Sequence, residues 1–240
     1  MLKSVIDIVE TLATRVRAPQ RPPAFSRSPA KSSRPSTTPR REPPIRADRA
    51  EAGKFHRPPA GEVDALDGAV QLLQGLPQYC LTVTLVRDGE PELAVLHSPN
   101  LKETYAARKG EDTTPITPSR KLTLDAVVAA TSQPPFVTQQ PGVAEAAGRS
   151  LTAVLGAVAA VRNLGPTSWQ VADVAAGRLD FFWQYGRDAT NLAGAALIAR
   201  EAGAVVTTAD GVPWTPSAGS FLAAAPALHP RVLEILRQAE

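Results

Sequence analysis

Proline decides where this chain can build a core. Ten of its 23 prolines fall before residue 61, and the pairs Pro22-Pro23, Pro43-Pro44 and Pro58-Pro59 exclude regular helix or central strand from 18–60. Each proline fixes φ and lacks the N–H that either structure needs. The same stretch is basic, with twelve Lys/Arg between Arg15 and Arg57. Residues 1–60 hold 13 basic and 5 acidic side chains, whereas 61–240 hold 13 and 18, so the formal net charge of +3 averages a basic arm and an acidic body. Residues 18–60 read as a basic, disordered linker, and 61–240 as the globular domain. Within 1–17, Leu2, Val5, Ile6, Val9, Leu12, Ala13 and Val16 recur at helical spacing, which predicts an amphipathic helix. Ser4 and Asp7 have the spacing of a capping box. Asp7 and Glu10 interrupt what would be the apolar core of a signal peptide.

Composition removes several classes. A single cysteine, Cys80, excludes an intramolecular disulfide framework and a Cys-based zinc site. Three scattered histidines argue against a His-rich metal centre, and no run approaches the roughly 18–20 apolar residues of a membrane span. A cytoplasmic protein is the expectation. The basic arm invites a nucleic-acid or anionic-surface partner through 15–57, yet only Phe25 and Phe55 could stack on bases there. A solvated linker is the favoured reading.

From Gly61 the pattern changes to that of a layered α/β protein. Leu81–Val86 alternates as a strand, Arg87–Glu90 turns, and Leu93–Leu96 returns, predicting a hairpin. Glu103–Ala107 reads as a third antiparallel strand and Leu122–Ala130 as a buried one. After the Pro/Gln-rich break at 133–141, helices are expected over Val143–Val158, Ser168–Ala176 and Asn191–Ala202, the last two stopped by Gly177 and Gly203. Strands are expected at Leu179–Trp183, Ala204–Thr207 and Phe221–Ala224, with Pro230 opening a terminal helix. Hairpins followed by helix–strand alternation imply an antiparallel region leading into a mixed sheet with helices. The aromatics Trp169, Phe181, Phe182, Trp183, Tyr185 and Trp214 read as core or as a homodimer interface. His97 reads as a surface residue, His229 as a helix-entry residue and Cys80 as a buried, inert thiol.

The chemistry concentrates in Asp64-Ala65-Leu66-Asp67-Gly68-Ala69. Two carboxylates three residues apart on a glycine turn can converge on one hard cation, with the Leu66 carbonyl between them, because Mg²⁺ prefers oxygen ligands. Gly68 lets the following amides face an anion. Such a D-x-x-D-G turn is common on surfaces, so its neighbourhood matters. The run DALDGAVQLLQGLP followed by LTVTLVRDGEPELAVLHSP resembles the first signature of the inositol monophosphatase family. VAAGRLD, NLAGAALIAREAG and the tail from Phe221 are similar to later segments of that family, in order, over about 61–240.

The resemblance implies an α/β/α/β/α sandwich and Mg²⁺-dependent hydrolysis of a small phosphate monoester. It assigns Asp64, Leu66, Asp67 and Asn191 to metal, with Asp67 also catalytic, Gly68 and Ala69 to phosphate, and Gln184 to substrate. Several of these positions depart from the family pattern. The motif proline is Ala65, the water-holding threonine is Ala69, the Trp-Asp of the second signature is Thr190-Asn191, and the substrate-facing glutamate is Gln184. The family's N-terminal metal-binding Glu falls where this chain has proline-rich sequence, and Glu42, Glu51 and Glu62 lack its motif. Asp188 replaces the lost carboxylate at 191 only if the turn slips by a few residues. The expectation is a divergent member, truncated or irregular at its N-terminal side, with hydrolysis weak or lost. The alternative is a non-catalytic pseudoenzyme that binds a phosphorylated metabolite or a partner, with the basic arm contacting an acidic protein or nucleic acid.

Overall fold

The computed structural model describes residues 2–14, 16, 61–62, 66–111 and 114–239. The basic stretch 18–60 and Asp64 lie outside the described residues. The expected hairpin forms from β2 (Leu81–Arg87) and β3 (Glu90–Ser98), and β4 (Glu103–Arg108) pairs antiparallel with β3. A two-residue β1 (Gly61–Glu62) joins the other edge of β2. The second sheet takes β5 (Val128–Thr131), β6 (Ala160–Arg162), β7 (Phe181–Tyr185), β8 (Val205–Thr207) and β9 (Ser220–Ala224) in the order β6-β5-β7-β9-β8. β5 runs parallel to β6 and β7, while β9 is antiparallel to β7 and β8. The sheet is therefore mixed, as expected.

Side-chain alternation assigns each strand face to a layer. Helix α1 (Leu2–Ala13) covers one face of the first sheet, setting Val9 and Ala13 against Leu81, Leu93, Val95 and Ala106. The opposite face, with Ala94, Leu96, Tyr105 and Ala107, meets the central pair α4 (Thr167–Ala175) and α5 (Ala189–Glu201). The same pair contacts Phe182, Phe221 and Ala223 of the second sheet. Phe181, Trp183, Leu222 and Ala224 point the other way, to α3 (Val143–Leu155) and α6 (His229–Arg237). The succession is an α/β/α/β/α sandwich. Because α5 lies between two sheets it is buried throughout Leu192–Ala199, which removes the usual amphipathic stripe. A Cβ at Gly194 would run into Thr84 Oγ1, so the small residue lets the first sheet approach the helix.

Several expectations shift. Of Leu122–Ala130, only the end is strand. Leu122 is exposed, and Val127 N–H bonds back to the Leu124 carbonyl in a turn. The helix from Val143 ends at Leu155, and the chain turns at Gly156 into β6, three residues too short to stand out by alternation. A short helix, α2 (Ala69–Leu73), follows the glycine turn, where the sequence predicts no element. Helix α1 begins at Leu2, so Ser4 lies inside it and is no cap. His97 is buried rather than on the surface, because its ring Nδ1 bonds Thr104 Oγ1 at 2.9 Å across the β3–β4 pair. His229 does begin α6, where it is buried against Thr207 Oγ1 at 2.9 Å.

Arg178 ties α4 to the first sheet. Its Nη1 donates to Glu103 Oε2 at 2.6 Å and lies 3.5 Å from Asp173 Oδ1, and the guanidinium stands over Tyr105 at 5.9 Å. Burial nevertheless pushes the Asp173 carboxyl up to about 6; Arg178 opposes that and Glu103 adds to it. Between the ordinary value of 3.8 and about 6, folded Asp173 keeps its proton while the unfolded chain releases it. Its contribution to stability therefore falls as pH rises through that window. Asp173→Asn should accordingly gain on the order of 2 kcal/mol relative to the parent between pH 4 and pH 7. Urea unfolding at both pH values checks this, and an identical difference at each pH would contradict it.

Candidate metal and phosphate site

Asp67 anchors the motif turn. Its backbone exchanges hydrogen bonds with Cys80 at 2.9 and 3.0 Å, pinning the turn to the start of β2. Its buried carboxylate accepts at Oδ2 from the Ser168 N–H at 2.8 Å and from the Ser168 hydroxyl at 2.6 Å. Ser168 is the second residue of α4, so the carboxylate satisfies a donor in the open first turn and faces the helix's positive end. Cys80 Sγ lies 3.2 Å from Ser168 Oγ and is fully buried, in keeping with an inert thiol.

Gly68 follows with φ +91° and caps α2. A Cβ there would stand 2.9 Å from the Gln78 carbonyl oxygen and 3.1 Å from Tyr79 Cα, so glycine is required for both conformation and space. Leu66, Asp67, Gly68 and Ala69 then line one cavity of 430 Å³ with Ser132, Thr167 and Asn191. Segments distant in sequence thus meet at one place.

Behind Asn191 lies a hydrogen-bonded group. Asp188, the N-cap residue of α5, is 6% exposed. Asn191 Nδ2 donates to its Oδ1 at 2.7 Å, and Gln184 Nε2 donates to its Oδ2 at 3.0 Å. Burial pushes the Asp188 carboxyl up to about 6; the Gln184 hydrogen bond opposes this, the negative charge of Asp67 adds to it, and the Asn191 bond opposes it. Gln184 is 1% exposed, and its Oε1 is buried with no hydrogen-bond partner among the described residues.

The residues singled out from sequence fall as follows. Leu66, Asp67, Gly68, Ala69 and Asn191 come together at the cavity; Gln184 joins through Asp188 and is not among the lining residues. Asp64 lies outside the described residues. Ser168 was legible only as a helix start, although a hydroxyl residue at a helix N-terminus is the usual signal of a capping network. Asp188 lies directly against Asn191 without any slip of the turn, since residues three apart in a helix's first turn face each other.

Among the described residues, no three His, Cys, Asp or Glu side chains gather to hold a metal. The residues on the cavity wall that carry candidate oxygen ligands are Asp67, Asn191 and, through its backbone, Leu66, with Asp188 close enough to feel Asp67's charge. Asp67 on the cavity wall and Asp188 behind Asn191 are two buried carboxylates whose repulsion a cation in the cavity would relieve, and all-oxygen donors suit Mg²⁺. The described residues fit one hard cation.

The profile of the inositol monophosphatase family matches residues 56–240. The chain belongs to the inositol monophosphatase family. It is 36% identical over 165 residues to an inositol-1-monophosphatase of Rhizobium meliloti, covering 67% of this chain and 60% of that protein. An inositol-1-monophosphatase of Caulobacter vibrioides is 32% identical over 184 residues, covering 74% and 71%. A putative Nus factor SuhB of Neisseria meningitidis is 29% identical, covering 72% and 67%. The chain thus spans less than two thirds of the Rhizobium protein's length. Among solved structures, the Anabaena inositol monophosphatase superposes with a TM-score of 0.68 at 25% identity, covering 74% of this chain and 71% of that one. The extragenic suppressor protein suhB of Bartonella henselae gives 0.67 at 27% identity, covering 73% and 68%.

Gly68 carries the most direct structural prediction for this inositol monophosphatase family member. Gly68→Ala should destabilise the fold by about 1–3 kcal/mol, since strain at positive φ adds to the clash with Gln78 and Tyr79. Chemical denaturation of the two proteins checks this, and an unchanged midpoint would contradict the turn geometry.

Proposed function

We propose that this chain hydrolyses small phosphate monoesters slowly, in the presence of Mg²⁺, with an inositol, sugar or nucleotide phosphate as substrate. The observation that carries the reading is the convergence of Asp67, Gly68, Ala69 and Asn191 on one 430 Å³ cavity. Asp67, the Leu66 carbonyl and Asn191 would hold the cation, with Asp64 of the same motif. When bound, Mg²⁺ neutralises phosphate charge and makes the attacking water more acidic. The chain's own groups do the rest. The amides of Gly68 and Ala69 face the phosphate, and Ser168 fixes the Asp67 carboxylate through two hydrogen bonds. Ala69 has no hydroxyl with which to position a water, and Asn191 supplies an oxygen without a charge. Both deficits slow the reaction, and losses within one catalytic unit do not simply add.

A second reading, a partner-binding member without hydrolysis, has two observations in its favour. A relative in Pseudomonas aeruginosa carries the description Nus factor SuhB and one in Neisseria meningitidis the description putative Nus factor SuhB, and α2 beside the cavity exposes Val70 and Leu73.

Phosphate release separates the two. With Mg²⁺ and a panel of inositol, sugar and nucleotide monophosphates, the parent protein should release phosphate from at least one. Asp67→Asn should lower that rate by about a hundredfold or more, comparable to losing one main electrostatic group of an active site. Release equal in parent and variant, or absent throughout the panel, sinks the hydrolase reading and leaves the binding one.

A further inference from the structure

We propose that Asp188 is a positioning residue: it turns the amide of Asn191 so that its carbonyl oxygen is presented to a hard cation in the cavity. The inference rests on the phosphate-and-cation reading of the cavity. An ionised carboxylate only accepts hydrogen bonds, whereas a side-chain amide has a donating end and an accepting end. Asp188 engages one amide on each oxygen, Asn191 Nδ2 on Oδ1 at 2.7 Å and Gln184 Nε2 on Oδ2 at 3.0 Å. Both NH₂ groups are thereby fixed inward, and both carbonyl oxygens are fixed away from Asp188. For Asn191, which lines the cavity while Asp188 does not, this makes Oδ1 the end available to a ligand. Gln184, which does not line the cavity, holds the other oxygen of Asp188 and so fixes how the carboxylate faces Asn191.

The arrangement also accounts for the missing charge. A neutral amide is a weaker ligand than a carboxylate, but a carboxylate hydrogen-bonded behind it polarises its carbonyl and locks its orientation. Ligands backed by carboxylates in an outer layer gain metal affinity in this way. The negative charge that Asn191 lacks is held one layer deeper, at Asp188, where it is 6% exposed.

Mn²⁺, which shares Mg²⁺'s preference for oxygen ligands, is the probe. Binding is followed by the loss of the free Mn²⁺ electron paramagnetic resonance signal, on the full chain and without substrate. The parent should bind Mn²⁺, and Asp188→Asn, whose own amide can donate and so frees its neighbours to turn, should weaken binding about ten- to a hundredfold. Adding Asn191→Asp to Asp188→Asn should restore most of the affinity, since charge returns directly to the cavity. The same Asn191→Asp change in the parent should raise affinity less than it does beside Asp188→Asn, whereas a purely structural role for Asp188 would make the two gains equal. Thermal unfolding of each variant verifies that it is folded. Equal Mn²⁺ affinity in the parent and a folded Asp188→Asn overturns the proposal while leaving the hydrolase reading intact, as does a loss that Asn191→Asp fails to rescue. No Mn²⁺ binding by the parent overturns it together with the cation site. Asp188-dependent binding without phosphate release supports it and counts against hydrolysis alone.

Discussion

The hydrogen bonds from Ser168 to Asp67 hold the site together. They join a turn at the edge of the first sheet to the opening of α4 in the central helical layer, 101 residues away in sequence. A buried carboxylate must be paired to be tolerated, and here the partner is a helix N-terminus with its unsatisfied N–H groups. The Asp67–Cys80 backbone bridge fixes the other side of the same turn. With both ends pinned, Gly68 can take φ +91° only in the narrow space over Gln78 and Tyr79, and α2 starts from there. The cavity is a consequence of these constraints, since its walls are the turn on one side and the starts of α4 and α5 on the other.

Charge in the site is distributed differently from what the motif alone suggests. Asn191 and Gln184 are neutral, yet a buried carboxylate stands between them and takes a hydrogen bond from each. Substitutions that look like the removal of two charges are thus accompanied by one charge behind them. This sets how the departures from the family pattern are read. Ala69 is a plain loss of a hydroxyl, while Asn191 belongs to a network with its own electrostatic logic.

Much of the fold was legible because both sheets bury two faces and their strands alternate cleanly. Leu93 and Val95 face α1 while Ala94 and Leu96 face α5, and Phe181 and Trp183 separate from Phe182 in the same way. Helix α5 is legible through its stop at Gly203. Elements of three to five residues, β6 and α2, carry too few side chains for any period to register. His97 reads as a surface residue from its place beside Ser98-Pro99, whereas the structure buries it against the neighbouring strand β4. The candidate site was legible where a local motif encoded it, at Leu66–Ala69. Ser168 and the central place of Asp188 depend on contacts between distant segments or on which way an amide is turned, and neither leaves a spacing in the sequence.

The most direct measurement is the anomalous scattering of a crystal soaked in Mn²⁺. The predicted result is a single strong peak in the cavity, bonded to the Asp67 carboxylate and to Asn191 Oδ1, with Asp188 behind Asn191 and out of contact with the metal. A cavity without a peak, or a peak bonded to Asp188 with the Asn191 amide turned away, would contradict it.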